Sequence, residues 1–433
     1  MRSHVQGFFA PLLLAALCSP TLAADGVAMP TAAPRAADAA PVSSTITLAE
    51  ALRLALTHNP ELASVRLELQ AMEGAEQQAG ARPNPELGLL VEDTRSATRT
   101  TTLQWSQPIE LGGKRSARLA AAARAREQAG VALQSKQAEL RAAVASAFFE
   151  LLSAQEQSRL VQASLDLARH ATSIAGKRLQ AGKVPPLEHA KAQVAEAGVR
   201  SELAQAQSDL LLARQRLASF WGAGKVVFFD RADGNAEALP DMPSDQRLGE
   251  RMTQAPAIRL AQLDIARRQA LSSGERAKRV PDLTLTLGAK RDAEQGRTQA
   301  VMGLAIPLPI MDSNQGNLME ALRREDQARE ALSATTSRLH AEVSQTVEKL
   351  RLTRQQVQML RTEVLPTAQS AYDAAVKGYE LGKFAFLDVL DAQRTLFQLR
   401  QQILRSTADA WRAAAELDRL LGQDPSQARQ SQE

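Results

Sequence analysis

The chain has 433 residues, with 52 Lys and Arg against 48 Asp and Glu, for a formal net charge of +4. So even a balance gives no electrostatic footprint for nucleic acid. Aromatic residues make up 3% and cysteine occurs once, which excludes a large aromatic core, a disulfide framework and thiolate metal ligands.

The first residues read as an export signal. Arg2 and His4 precede an apolar stretch from Phe8 to Leu17, broken by Pro11, and the small residues Ala23 and Ala24 come before Asp25. This pattern predicts a secretory signal peptide over residues 1–24, cut after Ala23 or Ala24. The stretch is too short to span a bilayer as a helix, and no later segment offers about twenty apolar residues in a row. Cys18 lies in the leader behind Leu17, where lipidation needs a small residue. Cleavage removes Arg2 alone among charged residues, so the 52 basic residues fall to 51 against 48 acidic. Residues 25–46, rich in alanine and carrying Pro30, Pro34 and Pro41, read as a flexible lead-in.

The rest of the chain is a tandem duplication. Gly182-Lys183 recurs as Gly382-Lys383, Leu187 as Leu387, Gln193 as Gln393 and Gly222 as Gly422. Pro108 pairs with Pro307, Pro83 with Pro281 and Asn59-Pro60 with Ala255-Pro256. The repeats cover residues 47–222 and 245–422, joined by a linker over 223–244 and ending in a polar tail over 423–433. Gly224, Gly234, Pro240 and Pro243 mark the linker, in which Val226 to Phe229 could add a small strand.

Each repeat carries the same elements in the same order. Thr47 and Glu50 predict a capping box opening a short helix that stops before Pro60, and a second helix runs to about Gly80. Their counterparts fall at 245–254 and 257–279. Extended segments come next at 85–92 and 99–110, and again at 282–290 and 298–309. In Leu283-Thr284-Leu285-Thr286-Leu287 apolar residues alternate with polar ones, the period of a strand with two unlike faces. Thr100, Thr102, Gln104 and Ser106 alternate likewise with Thr101, Leu103 and Trp105. The hairpins thus span 85–110 and 282–309.

Beyond each hairpin the pattern turns helical, giving long helical hairpins over 114–221 and 317–421. No proline interrupts Lys114 to Lys183, and apolar residues at 133, 140, 144, 148 and 151 keep a coiled-coil spacing. At about 1.5 Å per residue such a helix is roughly 100 Å long, more than an ordinary globular core needs. Gly182-Lys183 and Gly382-Lys383 predict the turns, glycine supplying a positive φ and lysine suiting a helix C-terminus.

Four strands cannot close a barrel, and in a bilayer an open edge leaves backbone groups unsatisfied. Twelve strands from a trimer leave room for a channel, whereas eight from a dimer do not. The expected fold is therefore mainly α with a membrane β-barrel, polar faces lining the lumen and leucines facing lipid. A soluble hairpin packed on helices is the competing reading, and Trp105 alone represents an aromatic girdle in the strands.

The whole mature chain resembles the TolC-like outer-membrane efflux family. The duplication and paired hairpins carry the likeness, together with Val364-Leu365-Pro366, Tyr379-Glu380-Leu381-Gly382-Lys383 and Leu387-Asp388-Val389-Leu390-Asp391-Ala392-Gln393. The resemblance implies a homotrimer with a twelve-stranded barrel in outer-membrane lipid and a helical tunnel in the periplasm. It implies a periplasmic adaptor (membrane fusion) protein and an inner-membrane RND transporter as partners. Asp388 and Asp391 match aspartates that ring the closed entrance, Tyr379 a tyrosine that locks it, and Glu188 that tyrosine's acidic partner. Phe384 stands where the family's lock has arginine. Gly182, Lys183, Gly382 and Lys383 match the tips that meet the adaptor. Spacing alone leaves Asp388 and Asp391 open to a capping role and Tyr379 to plain packing.

Gln107-Pro108-Ile109-Glu110-Leu111-Gly112-Gly113-Lys114-Arg115 resembles the subgroup serving Czc-type heavy-metal pumps, and marks a turn leaving the barrel. His58, His170, His189 and His340 lack the spacing of a metal-ligand pair. His189 beside Glu188 is the one exception, as part of a site shared between subunits. No nucleophile and base pair, phosphate loop or metalloenzyme motif stands out, so neither enzyme nor cofactor is expected. Export of divalent metals, export of drugs or type I secreted proteins, and a periplasmic coiled-coil adaptor all remain readings of the sequence.

Overall fold

The computed structural model describes residues 45–222, 229–381 and 383–422. The signal peptide, most of the lead-in, Val226 to Phe228, Gly382 and the polar tail lie outside the described residues.

The first repeat opens with strand β1 (Thr45–Ile46) and helices α1 (Leu48–His58) and α2 (Pro60–Ala79). Thr47 accepts a hydrogen bond from the Glu50 N–H at 3.3 Å, as a cap should. The Glu50 carboxylate instead grips Arg53 through two bonds, of 2.9 and 2.6 Å, so the reciprocal half of the expected capping box gives way to a charge-assisted fork. Asn59 serves both neighbouring helices: Oδ1 accepts from the Leu62 N–H at 2.9 Å and Nδ2 donates to the Phe220 carbonyl at 2.8 Å.

Strands β2 (Glu86–Glu92) and β3 (Thr100–Ile109) form the first hairpin, and helices α3 (Lys114–Gln180) and α4 (Pro186–Ser219) the first helical hairpin. Strand β4 (Arg231–Ala232) lies in the linker and pairs in parallel with β1. The small strand expected over Val226 to Phe229 falls, but for Phe229, outside the described residues. Ile46 and Ala232 are buried in one apolar cluster, which holds the β1–β4 pair in place.

Helices α5 (Asp245–Thr253) and α6 (Pro256–Lys278), strands β5 (Leu283–Asp292) and β6 (Arg297–Ala305), and helix α7 (Gln315–Met359) repeat the pattern. Here the second copy departs from the first. A π-helical turn over Leu360–Val364 separates α7 from α8 (Leu365–Glu380), before α9 (Phe386–Leu421) returns. The helix is interrupted here because Pro366 has no N–H to donate and its ring crowds the carbonyl four residues earlier, at Thr362. Widening into a π turn relieves that crowding.

Two apolar cores mirror the duplication. Leu62, Leu140, Val144 and Leu217 sit in the first, and Ile258, Leu339, Val343 and Leu417 in the second. The first is larger because the Phe149 and Trp411 rings stack at 3.8 Å, drawing α9 onto α3. The Trp411 indole N–H donates to the Ala238 carbonyl at 2.7 Å and so pins the linker there as well.

The four-stranded sheet runs β2-β3-β5-β6, antiparallel throughout. Its register sorts side chains by face. Leu87, Trp105, Leu287 and Met302 form one cross-strand row, and Gln107, Leu285 and Leu304 another on the same face. The opposite face carries the rows Glu86-Ser106-Thr286-Gly303 and Glu92-Thr100-Asp292-Arg297. Leu87 and Met302 are 74% and 78% exposed in the single chain, and within the described sheet β2 and β6 each have a free edge. A soluble hairpin packed on helices would bury that apolar row.

The Leu111-Gly112-Gly113-Lys114 segment joins sheet to helices. Asp282 accepts from the Leu111 N–H at 3.0 Å and from Lys114 Nζ at 2.7 Å, which ties the end of β3 to the start of β5. Arg118 pairs with Glu110 at 2.7 Å and donates to the Ala79 and Ala81 carbonyls, both at 2.9 Å, and Arg115 donates to Gly80. Gly112 has φ +70°, and a Cβ on it would lie 2.7 Å from Val280 Cβ and 2.8 Å from the Ala277 carbonyl. Only glycine fits there.

Candidate functional site

The candidate site is the far end of the helical hairpins, where α3 turns into α4 and α8 into α9. A 67-residue α3 places this tip about 100 Å from the sheet.

The first turn closes in the Schellman manner. Gly182 takes φ +67°, its N–H donates to the Leu179 carbonyl at 2.9 Å, and the Lys183 N–H donates to the Arg178 carbonyl at 2.8 Å. A Cβ on Gly182 would meet nothing within 4 Å, so the position demands the backbone angle and not the space. In the second turn the Lys383 N–H donates to the Gly378 carbonyl at 2.8 Å, the same five-residue span. Lys177 and Arg178 sit in the last turn of α3 and Lys377 in that of α8, where positive charge suits the helix dipole.

The acidic residues open the returning helices. Glu188 lies in the first turn of α4 and Asp388 in that of α9. Asp388 is exposed and its Oδ2 accepts from the Ala385 N–H at 2.9 Å, satisfying one of the helix's orphan donors. Asp391, three residues on, is exposed as well. Val389, Gln393 and Leu396 form the opposite, buried side, and Gln393 Nε2 donates to Ser164 Oγ at 3.2 Å. The two aspartates therefore share the face of α9 that turns away from its own subunit's first helical hairpin.

Tyr379 bridges the hairpins. Its ring packs with Ala171, Ala175, Ala192 and Leu390, and the Arg178 guanidinium carbon stands 4.3 Å from its centroid. Burial pushes the Tyr379 hydroxyl's pKa up; the Arg178 charge opposes that shift and the Glu188 charge reinforces it. The residue that meets the Tyr379 ring directly is Arg178, which was not singled out from the sequence. Aligning the repeats gives the signal that could have found it, because Arg178 falls opposite Gly378. Phe384 in turn covers Gly378, and a Cβ there would overlap its ring.

The histidines stay apart. His58, His170 and His340 are exposed, and the His189 ring lies on Gly176. Among the described residues no three His, Cys, Asp or Glu side chains gather as a metal site.

The profile of the outer membrane efflux protein family matches residues 51–223 and again residues 249–423. The chain belongs to this family. Among outer membrane efflux proteins, it is 44% identical over 423 residues to the cobalt-zinc-cadmium resistance protein CzcC of Cupriavidus metallidurans, covering 96% of this chain and 100% of that one. It is 27% identical over 320 residues to the nickel-cobalt-cadmium resistance protein NccC of Alcaligenes xylosoxydans xylosoxydans, covering 72% and 70% of the two chains. A solved structure of CusC, described for its folding and transmembrane channel formation, superposes with a TM-score of 0.73 at 21% identity, over 87% of this chain and 92% of that one. The outer membrane efflux fold thus accounts for the sheet, the helical hairpins and the repeat.

Proposed function

We propose that the chain is the outer-membrane channel of a tripartite efflux pump, a passive duct for divalent heavy-metal cations of the cobalt, zinc and cadmium class. The observation that carries this reading is full-length similarity, at 44% identity, to a protein named for resistance to those metals. The free edges of β2 and β6 support a homotrimer, since edge-to-edge pairing of three sheets closes twelve strands and satisfies every backbone group in lipid. In that barrel the Leu87 row faces lipid and the Glu86 and Glu92 rows face the lumen.

The tip is the periplasmic entrance. Three copies of Asp388 and Asp391 ring it with carboxylates, which attract cations and resist anions. Tyr379 and Glu188 hold the ring narrow. The turns at Gly182-Lys183 and Gly382-Lys383 meet a periplasmic adaptor, and an inner-membrane RND transporter supplies the energy. The chain performs no chemical step: it has no catalytic role and needs no resident metal or cofactor, the cation being cargo.

Deletion of the gene in a strain without a redundant channel tests the reading. Growth should fail at cobalt, zinc or cadmium concentrations the parent tolerates, and should be restored by the intact gene. Unchanged metal resistance with new sensitivity to drugs would transfer the channel to other cargo.

A further inference from the structure

We infer that residues 306–311, just after β6, are a lipid-bound extension of the sheet's apolar face and take the acyl chains of inner-leaflet phospholipid as their partner. This rests on the channel reading above and names a further partner of the same subunit.

The alternation that marks β6 does not stop where its pairing stops. The ladder to β5 ends with Ala305 opposite Thr284. Met302 and Leu304 are followed at every second position by Ile306, Leu308 and Ile310, with glycine, alanine or proline between them. Leu308, Ile310 and Met311 are 75%, 80% and 93% exposed, and no charged residue occurs from Thr298 to Met311. So continuous an apolar surface at a sheet edge is the mark of a contact with lipid or protein.

The height of the membrane decides for lipid. At about 3.3 Å per residue and a tilt of about 40°, the apolar face of β6 itself, residues 300–304, covers about 10 Å of the bilayer. The apolar band of an outer-membrane barrel is about 25 Å tall. Counting on to Leu308 gives about 20 Å at the same rise and tilt, and Ile310 and Met311 complete the band. Unpaired backbone is costly in lipid, and this segment carries few open donors. Pro307 and Pro309 have no N–H, and the Ile310 N–H donates to the Leu308 carbonyl at 2.9 Å. Asn314 then donates to the Glu275 carbonyl at 2.9 Å, which ties the end of the segment to α6. There Arg276 and Arg279 are exposed and make no ion pair among the described residues. Their guanidiniums supply a basic rim for lipid phosphates at the edge of the band.

The first repeat is built differently at the matching place. Pro108 aligns with Pro307, but β3 lies inside the sheet and stays paired as far as Ile109, opposite Leu283. Glu110, next in line, pairs with Arg118 at 2.7 Å. Only the edge strand continues as an unpaired apolar segment.

The test is a fluorophore attached through Ile310→Cys in a Cys18→Ala background, in the full-length trimer reconstituted into phosphatidylethanolamine and phosphatidylglycerol vesicles. Its emission should lie to the blue of the same label on Lys383→Cys, be quenched by brominated phospholipid and resist aqueous iodide. The label on Met302→Cys, within β6, reports on the barrel itself. Lipid quenching at 302 together with iodide access at 310 overturns the inference and leaves the channel standing. Shielding of 310 from both quenchers, as by a neighbouring subunit, does the same. A label at 302 that brominated lipid does not quench overturns both. If Ile310→Cys fails to assemble, Leu308→Cys is judged by the same criteria.

Discussion

The joint beneath the sheet and the tip of the helical hairpins are both glycine turns, yet they are built to opposite ends. At the joint, Leu111, Lys114, Arg115 and Arg118 reach Asp282, Glu110 and the carbonyls at the end of α2, and Gly112 sits where no side chain fits. At the tip, Gly182 faces open space and the hairpins meet through alanines and one cation over a ring. The contrast separates a densely bonded end from a sparsely bonded one. On the channel reading proposed above, a barrel sealed in lipid would be anchored by converging hydrogen bonds, and an entrance that opens would be held by few.

The largest effect is expected at Gly112. Gly112→Ala combines left-handed strain with overlap against Val280 and the Ala277 carbonyl. It should cost about 3 kcal/mol and lower the temperature at which the trimer dissociates on a gel. Gly182→Ala carries strain without overlap, so it should cost about 1 kcal/mol and leave trimers intact at growth temperature. Equal losses at the two sites would erase the distinction between joint and tip. Gly378→Ala should do less again to stability, because the Phe384 ring can swing outward from an exposed turn. Its mark should be a shifted emission from a fluorophore attached through Lys383→Cys. The smallest structural effect belongs to Asp388→Asn with Asp391→Asn, which leaves assembly unchanged and lowers cation preference in bilayer recordings. An unaltered reversal potential would remove these carboxylates from the narrow mouth.

Much of the fold was legible because its signals are periodic. Alternation in Leu283 to Leu287 marked β5, and the spacing of Leu140, Val144, Phe148 and Leu151 marked the buried face of α3. The repeat placed every hairpin once one copy had been read. Interruptions were less legible. Pro366 was visible, but whether a helix answers a proline by ending, bending or widening depends on what packs beside it, here Leu360 against Leu399 and Ile403. At the candidate site, the acidic residues and Tyr379 could be found through family motifs, and the turns through glycine chemistry. Arg178 is marked only by its mismatch with Gly378 when the repeats are aligned, because a cation in the last turn of a helix is otherwise ordinary and its target lies 201 residues away along the chain, at Tyr379. Contacts between repeats leave no periodic trace.

The decisive measurement is the ion selectivity of the purified trimer in a planar bilayer under a salt gradient. Discrete conductance steps with a reversal potential favouring cations are the expected result. A protein that stays soluble and monomeric, or inserts without forming a cation-preferring pore, would contradict the channel.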